Sequence, residues 1–153
     1  MPAPDVTPYG GDSMPVENLA RDDVVTARPD TPVTELASTM HEERVGSVVI
    51  TEGDNPVGIT TDRDLAIRLV ARGNIPEEHT AADVMSTDLR TVTPDAGFYE
   101  VAQTMSEHGI RRLPVCNEND ELTGIITIDD ISELLADEQQ QLASVIRAQR
   151  PEY

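Results

Sequence analysis

Apolar residues along the chain follow regular periods, and each period predicts a type of secondary structure. Between residues 33 and 40 the apolar positions are three and four residues apart, the spacing of one face of an amphipathic helix. These positions are Val33, Leu36, Ala37 and Met40. Thr31 is a suitable N-cap for this helix, and Pro32 suits its first position. We therefore predict a helix that begins near residue 32.

Strands and a second helix complete the predicted unit. The β-branched run Val45–Ile50 is typical of a strand, a polar turn follows at residues 52–56, and Val57–Thr60 predicts a further short strand. A closing helix is predicted from about Asp62 to Gly73. With a short strand near Val24–Thr26 at the start, the order of elements is βαββα.

This string of elements occurs twice in the sequence. When Asn18 is aligned with Asp83, the two copies match at an offset of 65 residues. One extra residue in the second turn raises the offset to 66, so that residues 58–65 match residues 124–131. A match of this length, with its single insertion placed in a turn, indicates an internal repeat.

The second copy predicts the same elements at its own positions. Its short strand lies near Leu89–Thr91, its first helix near residues 98–105, and its two strands at Ile110–Val115 and Leu122–Ile126. Its closing helix is longer than that of the first copy and is predicted at residues 129–147.

The repeat defines the predicted domain organisation. We predict a flexible tail at residues 1–13, a first repeat at 14–73, a linker at 74–80, a second repeat at 81–137 and a helical extension with a tail at 138–153. A unit of about 60 residues is marginally stable alone, whereas two units can bury their strand faces against each other. The expected fold class is therefore α/β (α+β), with two βαββα repeats related by a pseudo-two-fold axis.

Both strand-to-helix turns carry the same pair of polar side chains. Thr61 precedes Asp64 by three residues, and Thr127 precedes Asp130 by the same distance. The start of a helix favours an anion, the threonine hydroxyl can donate to a phosphate or ribose oxygen, and the carboxylate can accept from both hydroxyls of a ribose. Each pair, taken alone, is better explained as a helix cap with a first-turn acid. Their duplication at matched positions favours a nucleotide site.

The charge of the chain excludes some classes of partner. Its 29 acidic residues against 11 basic ones give a formal net charge of −18, which repels nucleic acids and anionic membrane surfaces. Every basic residue is arginine, and this composition resembles that of proteins from extreme halophiles; an acidic mesophilic protein is the alternative. We expect a cytoplasmic protein, because the single cysteine, Cys116, forms no internal disulfide and no apolar run is long enough for a membrane span.

Several short motifs indicate a known family. The first repeat contains Gly-Ile-x-Thr-x-x-Asp at residues 58–64, and the second contains Asp-Val-Met at 83–85, Thr-Val-Thr-Pro-Asp at 91–95 and Arg-Leu-Pro-Val at 112–115. Together and in this order, these motifs resemble the CBS domain, and the resemblance covers residues 14–137. Paired CBS domains are known as a Bateman module. The resemblance implies ligand pockets in the cleft between the repeats, with each repeat contributing to both.

The resemblance also implies which residues form each pocket. In the first pocket Thr61 and Asp64 are expected to face four residues of the second repeat, namely Thr91, Ile110, Arg111 and Arg112. In the second pocket Thr127 and Asp130 are expected to face four residues of the first repeat, namely Thr26, Val45, Gly46 and Ser47. An adenine ring is expected between apolar strips that include Ile59, Pro114 and Ile125.

Arginine is distributed unequally between the two expected pockets. Arg63, Arg111 and Arg112 belong to the first, and guanidinium groups match the geometry of phosphate oxygens. The alternative is that these arginines balance nearby acids. The second pocket has Gly46 and Ser47 instead. We predict that phosphorylated ligands prefer the first pocket, and that the second is empty or takes a less charged adenosine such as S-adenosylmethionine.

The function implied by the resemblance is regulation by an adenosine ligand, not catalysis. AMP, ADP or ATP is expected, with S-adenosylmethionine or NAD as further candidates, together with a homodimer and an unidentified regulated partner. No catalytic or metal site is predicted, since His41, His79 and His108 lack cysteine partners and metal-binding spacing. A ligand-free interaction scaffold is the main alternative, and an enzyme acting on nucleotides is the third.

Overall fold

The computed structural model describes residues 15–149. The strands in this range are β1 (Thr26–Ala27), β2 (Ser47–Glu52), β3 (Asn55–Thr61), β4 (Arg112–Cys116) and β5 (Leu122–Thr127). The α-helices are α1 (Val33–Glu43), α2 (Asp62–Leu65), α3 (Ala81–Val84), α4 (Phe98–His108) and α5 (Ile128–Ala148). None of these helices is both long enough and apolar enough to cross a membrane.

Each repeat builds its own small sheet with the same strand register. β1 pairs parallel with β2, β2 pairs antiparallel with β3, and β4 pairs antiparallel with β5. Both hairpins carry a register shift at matched positions, after Ile50 and after Val115. The α/β fold of two similar repeats is therefore confirmed.

Some element boundaries differ from the sequence prediction. The N-cap of α1 is Pro32 and not Thr31, because the Thr31 hydroxyl accepts a hydrogen bond from the Arg28 N–H at 3.1 Å in the preceding turn. The strand predicted at Leu89–Thr91 is reduced to a single parallel bridge between Val92 and Val115.

The first strand of each hairpin begins two residues later than predicted. Val45 and Ile110 lie outside β2 and β4 because each N–H donates to a carbonyl of the preceding helix, at 3.1 Å to Met40 and 3.0 Å to Met105. The apolar pattern alone does not distinguish these helix-terminating bonds from the strand that follows.

The sequence pattern predicted a continuous closing helix for the first repeat, and this prediction was wrong. After α2 the chain continues as a wider π-helical turn at Ala66–Val70, in which the Ala71 N–H donates to the Ala66 carbonyl at 2.9 Å. Gly73 then adopts a φ of +69°, a left-handed conformation that glycine tolerates without strain.

The two apolar cores each contain residues from the other repeat. The core of the first repeat includes Ala81, which stands at the start of the second repeat. The core of the second repeat includes Val16, which stands at the start of the first. We call residues 16–21 and 81–86 the leading segments. Each leading segment packs against the repeat to which it does not belong in sequence.

Matched backbone hydrogen bonds hold the leading segments in place. The Val16 N–H donates to the Ala96 carbonyl, and the Ala81 N–H donates to the Thr31 carbonyl, both at 2.8 Å. The positions in these two bonds differ by the same offset of 65 residues that relates the repeats in sequence. The exchange is therefore reciprocal.

Further along, each leading segment pairs with a β-strand of the other repeat. Arg21 exchanges two backbone hydrogen bonds with Ile125, both 2.9 Å, and Ser86 exchanges two with Ile59, at 2.9 and 3.1 Å. This approach requires a glycine in the strand. A Cβ placed on Gly124 would lie 2.9 Å from the Arg21 carbonyl oxygen, closer than packed atoms allow.

One matched position differs in polarity between the two cores. Thr60 is fully buried, and its hydroxyl has no hydrogen-bond partner within residues 15–149. The corresponding residue of the second repeat is Ile126, which is also fully buried. The first core thus contains an unsatisfied hydroxyl at a position where an apolar side chain fits the same architecture, which is destabilising.

We expect Thr60→Val to raise the free energy of unfolding by about 1 kcal/mol, because valine keeps the shape and removes the unsatisfied hydroxyl. Urea unfolding measures the change. The reciprocal control compares Ile126→Thr with Ile126→Val in the second repeat, where the threonine variant should be the less stable of the two. A Thr60→Val protein less stable than the wild type would contradict the assignment.

Candidate functional site

Two grooves lie along the seams where the repeats meet. The first groove has a volume of about 390 Å³ and is lined by Ile59 and residues 61–64 of the first repeat, and by residues 86, 88–90, 109–112 and 114 of the second. The second groove has a volume of about 290 Å³ and is lined mainly by residues 21, 23–25 and 43–47 of the first repeat and by residues 112, 125, 127 and 129 of the second. Small-molecule sites generally fall between about 300 and 1,000 Å³, so the first groove has the more suitable size.

Most residues predicted for the first pocket line the first groove. The residues that the structure brings together there are Ile59, Thr61, Arg63, Asp64, Ile110, Arg111, Arg112 and Pro114. Thr91 does not line it. The chain instead contributes Leu89 and Arg90, because the groove is bordered by the segment that leads from Ser86 into the Val92 bridge. Sequence reasoning missed Ser86 and Arg90, for which no local motif exists.

The second groove agrees less well with the sequence prediction. Its predicted lining residues are Val45, Gly46, Ser47, Ile125 and Thr127. Asp130 is not part of the lining, and Asp129 takes its place. Thr26 borders a separate depression of about 160 Å³ beside Thr51 and Asp54, while the neighbouring Val25 lines the groove.

The first turn holds its threonine and aspartate in a capping box. The Thr61 hydroxyl accepts from the Asp64 N–H at 3.1 Å, and Asp64 Oδ2 accepts from the Thr61 N–H at 2.9 Å. The other oxygen, Asp64 Oδ1, has Arg68 Nε at 3.9 Å, which is beyond hydrogen-bond distance. The Asp64 side chain lines the groove and is 19% exposed, and its Oδ1 pairs with Arg68 without accepting a hydrogen bond.

The second turn has the same capping box but no free acceptor. Asp130 Oδ2 accepts from the N–H of Thr127 at 3.1 Å and from its hydroxyl at 2.9 Å. Asp130 Oδ1 accepts from Arg21 Nε at 3.2 Å and from Arg21 Nη2 at 2.9 Å. The hydrogen bond to Asp130 and the negative charge of this carboxylate both raise the pKa of Arg21 above its usual value, and the hydrogen bond has the larger effect. The Asp130 side chain is only 9% exposed.

The charges along the two grooves also differ. The first is lined by four arginines and three aspartates, and its arginines are Arg63, Arg90, Arg111 and Arg112. The second is lined by three arginines and three acids, and its arginines are Arg21, Arg44 and Arg112. Sequence reasoning missed Arg21 and Arg44. The first groove therefore keeps a positive excess in a strongly acidic protein, but by a smaller margin than the sequence indicated.

Arg68 connects the first turn to the second repeat. Its Nη1 donates to the carbonyls of Val84 and Met85, both at 3.0 Å, and its Nη2 donates to the Ser86 hydroxyl at 3.2 Å. These acceptors stand at the end of α3 and in the leading segment that borders the first groove. The matched residue of the second repeat, Leu134, is apolar and makes no such bonds.

Potential metal ligands are not clustered in the described part of the chain. Within residues 15–149 no cluster of three histidine, cysteine or acidic side chains is placed to hold a metal ion. His79 Nδ1 lies 3.3 Å from Asp83, a contact on the surface. Cys116 is buried, and burial raises the pKa of its thiol, which disfavours the reactive thiolate.

Comparison with known families identifies the repeats. The family model of the CBS domain matches residues 16–71 and again residues 81–137. The chain therefore belongs to the CBS domain family, and it contains two such domains in tandem.

Individual relatives agree with this assignment. An uncharacterised protein of Methanopyrus kandleri is 44% identical over 120 residues, which make up 78% of this chain and 61% of that protein. A CBS domain pair solved in complex with 5′-methylthioadenosine and S-adenosyl-L-methionine is 26% identical, with a TM-score of 0.73 over 80% of this chain and 99% of that one. A hexameric CBS-CP12 protein from bloom-forming cyanobacteria is 26% identical, with a TM-score of 0.72 over 79% of this chain and 67% of that one.

We expect Arg68→Leu to lower the free energy of unfolding by about 2 kcal/mol, since three hydrogen bonds from a charged donor are lost at a partly exposed site. Leucine is the residue at the matched position 134. Chemical denaturation measures the loss. Arg72→Leu, one turn further along and exposed, is the matched control and should change stability little. Equal losses in both variants would contradict a structural role for the Arg68 contacts.

Proposed function

We propose that this chain is a regulatory module that binds an adenosine nucleotide in the first groove. The observation that carries the proposal is Asp64 Oδ1, a carboxylate oxygen of a residue that lines the groove, which accepts no hydrogen bond among residues 15–149 and has Arg68 Nε only at 3.9 Å. A carboxylate in this position accepts hydrogen bonds from the two hydroxyls of a ribose.

The rest of the groove suits the other parts of such a ligand. Ile59, Leu89 and Ile110 are half-buried apolar side chains that offer walls for an adenine ring. Arg63, exposed beside Asp64, and Arg112, half-buried across the groove, offer guanidinium groups to phosphate oxygens. AMP, ADP and ATP all carry an adenine ring, a ribose and at least one phosphate, so each could use these contacts. The related CBS pair that holds two adenosine compounds supports the same ligand class.

Binding in this groove would change how the two repeats are placed relative to each other. The ligand would contact Thr61 and Asp64 from one repeat and Ile110 and Arg112 from the other, so its affinity depends on how the repeats are placed. A ligand with different affinities for two placements shifts the population between them. The output is then a change in the surface offered to a partner protein, and no catalytic step is required.

We further propose that two copies associate through α5. Beyond the core, α5 exposes Leu135, Leu142, Val145 and Ile146, which are 42–65% accessible. At 100° per residue these side chains fall on one face about 100° wide, and that face continues the one with which Ile131 packs on the second core. In a dimer, the same face of α5 in a second copy would pack against this face and cover it. The hexameric relative shows that self-association occurs among similar proteins.

We expect AMP to bind to one site per chain, and Asp64→Asn to weaken that binding at least about tenfold, the size of one charge-assisted hydrogen bond. Asparagine keeps one oxygen for the capping box but replaces the ribose acceptor with an N–H group. Asp130→Asn is the matched control and should change the affinity less than about twofold. Calorimetry in concentrated salt measures both.

The same titration separates the rival functions. Absence of binding by AMP, ATP, NAD and S-adenosylmethionine would favour a ligand-free scaffold, and a larger loss with Asp130→Asn would reverse the assignment of the grooves. Turnover of any of these compounds would indicate an enzyme.

We expect the wild-type protein to sediment as a dimer, and the double variant Leu142→Glu/Ile146→Glu to sediment as a monomer, because charges would stand on the apolar face. Gln140→Glu/Ser144→Glu places the same charges on the opposite face of α5 and should leave the dimer intact. Analytical ultracentrifugation in concentrated salt distinguishes them. A monomeric wild type, or equal behaviour of both double variants, would exclude this interface.

A further inference from the structure

The turn beside the second groove has the same motif as the turn beside the first, but its aspartate accepts more hydrogen bonds. Both turns present a threonine and an aspartate in a capping box, with matching distances. Asp64 Oδ1 has only a long ion-pair contact with Arg68 Nε at 3.9 Å, whereas both oxygens of Asp130 accept hydrogen bonds from other groups of the chain. Asp130 Oδ1 accepts hydrogen bonds from Arg21, whereas the guanidinium nearest Asp64 Oδ1, that of Arg68, stays beyond hydrogen-bond distance.

Arg21 is held at the second groove by its backbone. Its N–H and carbonyl pair with Ile125 at 2.9 Å, and Ile125 itself lines the groove. The guanidinium group extends from this fixed point to Asp130 Oδ1, which it contacts through Nε and Nη2. Asp130 is only 9% exposed and two nitrogens of the guanidinium contact its Oδ1, so this pair is better placed than an ordinary exposed one.

The matched position in the first groove carries a short side chain. Ser86 makes the same two backbone bonds, to Ile59, but its hydroxyl accepts from Arg68 and does not reach Asp64. The architecture therefore accepts serine at this position without a change in strand pairing. In the first groove Asp64 Oδ1 therefore accepts no hydrogen bond, whereas in the second groove Asp130 Oδ1 accepts two.

We propose that Arg21 determines the ligand specificity of the second groove by occupying the carboxylate that would otherwise bind ribose. The inference rests on the proposed function, since it treats Asp130 as the counterpart of the ribose-binding Asp64. Any ribose that enters must displace two hydrogen bonds from Asp130 Oδ1. The Arg21 side chain is 62% exposed, so it has room to move away once it is displaced. The two grooves of one chain therefore differ in ribose affinity despite carrying the same motif.

Substitution of Arg21 by the residue of the matched position tests the proposal. The probe is adenosine, because a neutral nucleoside reports on ribose binding without a phosphate that arginine would attract. Titrations are made in the Asp64→Asn background, where the first groove is weakened, with and without Arg21→Ser. We expect Arg21→Ser to tighten adenosine binding about tenfold, and a further Asp130→Asn substitution to abolish the gain.

Controls separate this effect from general changes of charge or folding. Arg28→Ser removes a comparably exposed arginine whose partner, Asp30, lies outside both grooves, and it should leave adenosine binding unchanged. Thermal unfolding checks that every variant keeps the wild-type fold. Equal adenosine affinity with and without Arg21→Ser overturns the proposal, as does a wild-type protein that binds two adenosines with equal affinity.

Failure of the proposed function gives a different result. A wild-type protein that binds neither AMP nor adenosine, with an Arg21→Ser protein that binds one adenosine through Asp130, would contradict the assignment of the first groove and support the role of Arg21. Absence of binding in both proteins would contradict both proposals.

Discussion

The structure depends on the reciprocal exchange of the two leading segments. Val16 completes the core of the second repeat, and Ala81 completes the core of the first. Neither repeat contains a full set of core residues in its own contiguous sequence, so each half depends on the other to complete its core. Both grooves follow from this constraint, because they lie where a leading segment crosses onto the sheet of the other repeat. A ligand in such a groove necessarily contacts both repeats.

The order of elements and the position of the site motif could be predicted from the sequence, since both depend on local patterns. Helical spacing located α1 and α4, and the repeated Thr-x-x-Asp located both capping boxes. The exchange of the leading segments could not be predicted. Val16 and Ala81 could pack on their own repeat or on the other one. In both cases the sequence pattern predicts that they are buried, and the offset between the copies is the same.

Residues of the site that come from the leading segments were missed for the same reason. Arg21 reaches Asp130 across 109 positions of sequence, through strand pairing that has no local signal. Leu89 and Arg90 were missed because the resemblance implied Thr91 at this place, whereas the groove is bordered by the segment that leads from Ser86 into the Val92 bridge. The π-helical turn after α2 was missed because the periodicity of its apolar residues fits an α-helix equally well.

Matched positions of the two repeats have diverged in ways that the shared architecture tolerates. Thr60 and Ile126 differ inside the cores, and Arg68 and Leu134 differ on the closing helices. Ser86 and Arg21 differ at the grooves while keeping the same backbone bonds. Chemical asymmetry has therefore arisen at side chains, whereas the pseudo-symmetric backbone is retained. A repeat alignment alone would assign equal roles to positions that have become unequal.

Arg112 is a positively charged residue that the two grooves share. Arg112 lines both grooves, and its guanidinium lies close enough to Gly46 that a Cβ there would be 2.9 Å from Nη2. A single guanidinium cannot serve two separate anions at full strength. Two anionic occupants would therefore compete for one counter-charge, and filling one groove with a phosphate would weaken the affinity of the other for a second phosphate. Antagonism between the two ligands would then arise from a shared side chain, without any movement of the domains.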